Sequence, residues 1–306
     1  MPEEFKDRAL VEKLAFSALV EQRAKRRWGV FFKLLIVGYV IALSVYVIIQ
    51  SKFEPVRQKE HVAVISISGP IIDEGPNSAL AVNRQLRLAF EDEKAKGVIL
   101  RINSPGGSAV ESNRIFQEIR RLRKKYAEKE IYAVAGDLCA SGGYFIAAAT
   151  DKIYVDEASL LGSIGVVFSS FGFTGALEKL GVERRVLTAG ENKNMFDPFL
   201  PKNPADEERL REILSAVQQN FSAAVKQGRG ERLSGDDEIF SGAVFDGKKS
   251  IRLGLADGIG DTAYVARELI GVENLLYYGE ENNWLEDVVK KHLVQAFSFI
   301  SAPQIR

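Results

Sequence analysis

The chain has 306 residues, 46% of them apolar and 27% charged, enough to bury a good-sized core and incompatible with a disordered or fibrous protein. Its 41 basic and 41 acidic side chains cancel, so no basic excess points to a nucleic-acid partner. A single cysteine, Cys139, excludes an internal disulfide and any multi-thiolate metal site.

Residues 3–24 set Phe5, Ala9, Leu10, Leu14, Ala15 and Leu19 among charges at helical spacing, which predicts an amphipathic helix against a membrane face or a partner. From Trp28 to Gln50 only Lys33 interrupts an uncharged run, and about 20 such residues cross a bilayer core as a helix. Arg23, Lys25, Arg26 and Arg27 precede the run, while Lys52, Arg57 and Lys59 beyond it are partly balanced by Glu54 and Glu60. The positive-inside bias puts the N-terminus in the cytoplasm and everything past residue 51 on the other side of the inner membrane, as a single-pass protein. A cleaved signal peptide competes with this reading, but it would have a shorter apolar region and a small-residue cleavage site, which Gln50, Ser51, Lys52 and Phe53 do not offer. A buried core helix would not need a basic cluster on one flank only.

Past a linker at 51–61, apolar runs at 62–68, 97–102, 131–136, 151–156 and 183–189 read as strands. Between them, 78–94, 109–127, 142–150 and 172–180 have helical spacing, and 204–227 makes a long amphipathic helix that opens at Pro204. Strand and helix in alternation imply an α/β domain with largely parallel pairing, over 62–272. A further helical pattern at 282–299 falls in a C-terminal extension, 273–306.

In such a domain the reacting groups sit in loops at the carboxyl ends of the strands. One such loop is Asn103-Ser104-Pro105-Gly106-Gly107-Ser108, and its paired glycines can expose backbone N–H groups to a developing oxyanion. An ordinary strand-to-helix turn uses the same residues. The second loop, Asp137 to Tyr144, presents Ser141 beside Gly142 and Gly143 at the mouth of an apolar helix, as a sterically open nucleophile or as a helix N-cap. Two such loops on successive βα units favour a nucleophile facing an oxyanion hole.

A serine nucleophile needs a base. The two histidines, His61 and His292, lie outside the region where a triad is expected, although sequence distance leaves His292 open. A lysine made neutral by burial is the recorded alternative. Lys152, Lys179, Lys193, Lys202, Lys226, Lys248, Lys249, Lys290 and Lys291 all follow Ser141. Lys193 stands out because Met195, Phe196 and Pro198 beside it could desolvate it, yet spacing alone leaves the choice open. Cys139 is read as a small buried hydrophobe rather than a nucleophile. With no HExxH, CxxC, GxxxxGK[ST] or GxGxxG motif after a strand, no metal, phosphate or dinucleotide cofactor is implied.

Over roughly 62–270 the sequence resembles the signal peptide peptidase A family, the S49 serine peptidases, in its short form with one catalytic repeat. NSPGG at 103–107, ASGGYFIA at 140–147, LGSIGV at 161–166, the loop around Lys193 and FSGAVFDGKKSIRLGLADGIG at 240–260 carry the resemblance. It implies a spiral of βα units like that of Clp protease and the crotonases, preceded by one transmembrane helix. Residue by residue, it implies that Ser141 is the nucleophile and Lys193 the general base. It further implies that Gly107 and the Gly142 N–H line the oxyanion hole, with Gly106 supporting the loop and Ser163 orienting the lysine. Asn194 stands where many relatives carry an acid after the lysine. The resemblance also implies a ring-like homo-oligomer that joins serine and lysine from neighbouring subunits, and apolar peptide substrates such as signal-peptide remnants or membrane-protein segments. The rival readings are a non-catalytic membrane scaffold with the same fold and a crotonase-like acyl-CoA enzyme.

Overall fold

In a computed structural model, residues 26–43, 46 and 59–279 are described. The contacts divide the chain after residue 58 into two units. In the first, residues 26–43 are helical and every side chain is exposed. Among the described residues no helix is long and apolar enough to cross a membrane. Of the expected span from Trp28 to Gln50, residues 44, 45 and 47–50 lie outside the described ones, as do the expected helices at 3–24 and 282–299 and the side chain of His292.

The second unit is built on an eight-stranded sheet: β1 (His61–Ser68), β2 (Ala95–Ser104), β3 (Ile131–Ala140), β4 (Lys152–Val155), β5 (Leu160–Gly162), β6 (Val244–Asp246), β7 (Gly258–Ile259) and β8 (Leu275–Tyr278). The main path runs β6-β5-β3-β2-β1-β8, with β4 between β3 and β7. All pairings are parallel except β5 with β6. Because β1 and β2 are covered on both faces, they read as near-continuous apolar runs rather than as alternating ones. β8 lies past residue 272, where patterning ended the domain, and hydrogen-bonds along β1 from Val62 to Ile65.

The helices follow from local chemistry. α1 (Ala79–Glu91) starts at Ser78, whose Oγ accepts from the Ala81 N–H, and α2 (Ala109–Lys125) starts at Ser108, which caps the Glu111 N–H. On α2, Ile115, Phe116, Ile119 and Leu122 recur at helical spacing and are buried, while Arg123, Lys124 and Lys125 sit in the last turn, where the helix dipole favours cations. α3 (Gly142–Ala147) follows β3 directly. After it come α4 (Thr174–Lys179), α5 (Pro204–Arg229) and α6 (Gly247–Arg252). α5 opens on an Asn203 cap with Pro204 in its first turn, as the sequence predicts. α1, α2, α3 and α5 contribute to one core on one face of the sheet. The opposite face, with Val62, Val64, Ile99, Tyr132 and Val134, is covered by residues such as Val265 and Ala266 of a π-helical turn.

β3 changes neighbour part-way, and this sets the site. Tyr132 to Val134 pair with β4, whereas Leu138 to Ala140 pair with β5. The β2 register shifts between Ile102 and Ser104. There the Asn103 side chain turns across β3 and accepts from the Leu138 N–H at 3.1 Å. Only a glycine allows it, since a Cβ on Gly136 would come 2.9 Å from the Asn103 Cβ. The bend carries residues 138–141 over to β5.

The expected strand at 183–189 does not form; those residues are irregular, and most are exposed. A strand exists only by pairing, and among the described residues this segment pairs with no strand.

Candidate active site

Ser141 follows β3 and immediately precedes α3, with φ 50°. A left-handed φ is unusual for serine and marks a backbone held under strain by its surroundings. Its N–H donates to the Gly162 carbonyl at 2.9 Å, its carbonyl accepts from the Phe145 N–H at 2.9 Å, and its hydroxyl caps nothing in α3. The N-cap alternative for this serine is therefore not realised. Ser163, next to Gly162, has φ 51° and donates its N–H to the Ala243 carbonyl at 2.7 Å.

The loop after β2 lies directly against this turn. A Cβ on Gly106 would come 2.6 Å from the Gly142 nitrogen and 2.7 Å from the Ser141 Cβ, and one on Gly107 would run into the Ile71 carbonyl oxygen. Ser104 Oγ accepts from the Gly106 N–H at 3.1 Å and fixes the loop from within. A Cβ on Gly142 would sit 3.3 Å from the Gly107 nitrogen and collide with the buried Ser112 hydroxyl. Among the described residues, neither the Gly107 nor the Gly142 N–H has an acceptor. Two neighbouring N–H donors beside an uncommitted serine hydroxyl form the arrangement that stabilises an oxyanion.

Ser141, Gly107 and Gly142 open onto a cavity of about 970 Å³ between α2 and α5. Phe116, Phe145, Val166, Val167, Val217 and Phe221 make it largely apolar, and Asn113, Gln117, Asn220 and Gln227 add amides.

The site is braced from behind. Tyr144 on α3 is fully buried and donates to the Leu255 carbonyl at 2.9 Å. The buried Arg229, at the end of α5, donates to the Gly254 carbonyl at 2.8 Å and makes a two-pronged pair with Asp257 at 2.7 and 3.0 Å. Asp257 also accepts from the Ile153 N–H at 2.7 Å. Burial works to raise the Asp257 carboxyl, but the hydrogen bond and charge of Arg229, with help from Ile153 and Arg232, outweigh it and hold the carboxyl below its usual range.

The other candidates lie elsewhere. Lys193 is exposed in a run of turns within the 166–203 excursion and does not line the cavity at Ser141. The buried His61 opens β1, at the opposite edge of the sheet from Ser141, where its ring nitrogens face the Tyr278 hydroxyl at 3.2 Å and the Lys59 carbonyl at 3.1 Å. Cys139 is fully buried, and desolvation pushes its thiol up to about 12, which removes it as a nucleophile. Ser112 and Arg229 carry no motif that would have singled them out in the sequence, and Asp257, although inside the 240–260 motif, was given no role there. Helical periodicity could at most have put Ser112 and Arg229 on inward faces.

The family model for peptidase family S49 matches residues 123–274, a span that takes in Ser141, Ser163 and Lys193. The chain belongs to peptidase family S49. A protein of Enterococcus faecium that bears the name signal peptide peptidase SppA is 32% identical over 223 residues, 70% of this S49 chain and 64% of that protein. Protease 4 of Haemophilus influenzae is 34% identical over 205 residues, 65% of this chain and 32% of its own length. The Na(+)/H(+) antiporter NhaA of Brucella melitensis biotype 1 is 41% identical over 215 residues, 69% of this chain but 29% of the antiporter. Most of the antiporter lies outside the match, so its name carries no activity over to this S49 chain.

Proposed function

We propose that this chain is a membrane-anchored serine endopeptidase in which Ser141 is the nucleophile and Lys193 the general base. The observation that carries the reading is the strained Ser141 turn, with the acceptor-free N–H groups of Gly107 and Gly142 beside it at one largely apolar cavity. Lys193 takes the Ser141 proton as Oγ attacks the scissile carbonyl. The two N–H groups hold the resulting oxyanion. Its collapse breaks the C–N bond, the lysine returns the proton to the leaving amine, and water then hydrolyses the acyl-enzyme.

Lys193 belongs in this scheme to a neighbouring subunit. Support comes from the 166–203 excursion that carries it, which leaves Val167 86% and Phe171 80% exposed in the single chain, with Leu180 and Leu187 bare as well. Apolar surface of this extent calls for a partner, and a second copy whose lysine reaches Ser141 would cover it in a closed ring. The apolar cavity suits extended apolar peptides such as signal-peptide remnants or membrane-protein segments. The run from Trp28 to Gln50, charged only at Lys33, supports an anchor in the cytoplasmic membrane, and the basic flank at 23–27 supports an N-terminus on the cytoplasmic side.

The test is hydrolysis of an apolar fluorogenic peptide by the full chain in detergent. Ser141→Ala and Lys193→Ala each abolish turnover. Mixing the two variants restores about a quarter of it, the fraction of sites that draw an intact serine and an intact lysine from different subunits in a random ring. Turnover that survives Lys193→Ala removes the lysine as base. An inactive wild-type oligomer points to a non-catalytic scaffold.

A further inference from the structure

The chain leaves the core after Gly165 and returns to it in α5, and the stretch between carries Lys193. One side chain of α5 reaches back across this gap. Gln218 Nε2 donates to the Ile164 carbonyl at 3.0 Å and to the Phe240 carbonyl at 3.2 Å. Ile164 follows Ser163, whose left-handed backbone is tied to the Ala243 carbonyl, and Gly162 on the other side of Ser163 accepts the Ser141 N–H. A single amide therefore joins α5, the Ser163 turn and the segment leading into β6.

The chemistry of the amide marks it as a clamp. Both its hydrogens are used, whereas Oε1 is buried without a hydrogen-bond partner among the described residues. Turning the amide over would aim Oε1 at two carbonyl oxygens, so those carbonyls fix its orientation. A buried oxygen left unsatisfied calls for an explanation, and the two bonds of the amide nitrogen supply one.

We propose that Gln218 is a positioning residue for Ser141. By holding Ile164 to Phe240 it fixes the Ser163 turn and, through the Gly162 carbonyl, the nucleophile's backbone, in register with the root of the excursion that bears the lysine. The inference rests on the peptidase reading of Ser141. Gln218 does not line the cavity, to which α5 contributes Val217, Asn220, Phe221 and others instead, so its effect falls on chemistry rather than on substrate binding.

The experiment compares the full-length wild type with Gln218→Met, of similar length but without donors, and Gln218→Glu, which turns an oxygen toward both carbonyls. The readouts are kcat and KM on an apolar fluorogenic peptide, the rate of Ser141 labelling by a fluorophosphonate, the melting temperature and the oligomer size. For Gln218→Met, kcat and labelling rate fall about 10- to 100-fold, the scale of loss that a small misplacement of a reacting group produces. KM stays within about twofold, and Gln218→Glu loses more. A Gln218→Met chain that labels and turns over like wild type overturns the inference and leaves the peptidase reading intact, and so does a lower melting temperature with kcat unchanged. A change confined to KM also overturns it. A wild-type chain that neither labels nor turns over overturns both.

Discussion

Asp257 is the residue whose titration the structure makes most readable. Its carboxyl titrates lower in the folded chain than in the unfolded one, so the stability it contributes with Arg229 is complete above the unfolded value, about pH 4. That stability is lost as the pH falls through the lower folded value. Replacing Asp257 with Asn strips a buried guanidinium of its charge partner and should cost about 3 kcal/mol at pH 7. In melting experiments the gap between wild type and Asp257→Asn should shrink as the pH drops below about 4; a gap of constant size down to pH 3 would sink the ion-pair account. Single residues differ in how far the sequence betrays them. Ser141, Gly106, Gly107 and Gly142 were legible because serine beside paired glycines is local chemistry that a loop either has or lacks. Lys193 stood out among nine lysines through its apolar neighbours Met195, Phe196 and Pro198, but only the resemblance turned it into the implied base. Gln218, Arg229 and Asp257 stayed hidden because their partners are 22 to 54 residues away and no spacing rule links them.

Among the elements, the four strands with long apolar runs and all five expected helices of the domain are present, with ends shifted by a few residues, most at 131–136, where the strand runs on to Ala140. The short elements were not legible. β5, β6 and β7 have 3, 3 and 2 residues, too few to show a period. The 183–189 segment failed in the opposite sense: Val186 and Thr188 supply β-type residues, but a strand is a relation between two segments and the described residues offer no second one. The proposed ring sets the exposed apolar side chains of the 166–203 excursion against a second copy. Leu187→Glu should accordingly leave the monomer's fold and melting temperature near wild type, while light scattering shows a smaller particle and peptide turnover falls about tenfold or more. An unchanged particle with full turnover would remove this excursion from the interface.

At the scale of the whole molecule, the two glycine-rich loops meet because β2 and β3 are neighbours in a parallel sheet and both loops leave the same edge. That much follows from alternating strands and helices alone. The second core face and the return of β8 to β1 do not, since they depend on which sheet edge remains free once the other strands have paired. The burial of Cys139 has a practical side. With its only sulfhydryl sealed in the β2–β3 ladder and held protonated, the natural chain should be silent toward maleimides. Asp73→Cys, on the exposed turn after β1, would then be the sole reactive sulfur without any background mutation. An impermeant maleimide added to sealed cells should mark it if the domain lies outside the cytoplasmic membrane, whereas labelling only after lysis would reverse the proposed orientation. The protein thus comes already equipped as its own topology reporter.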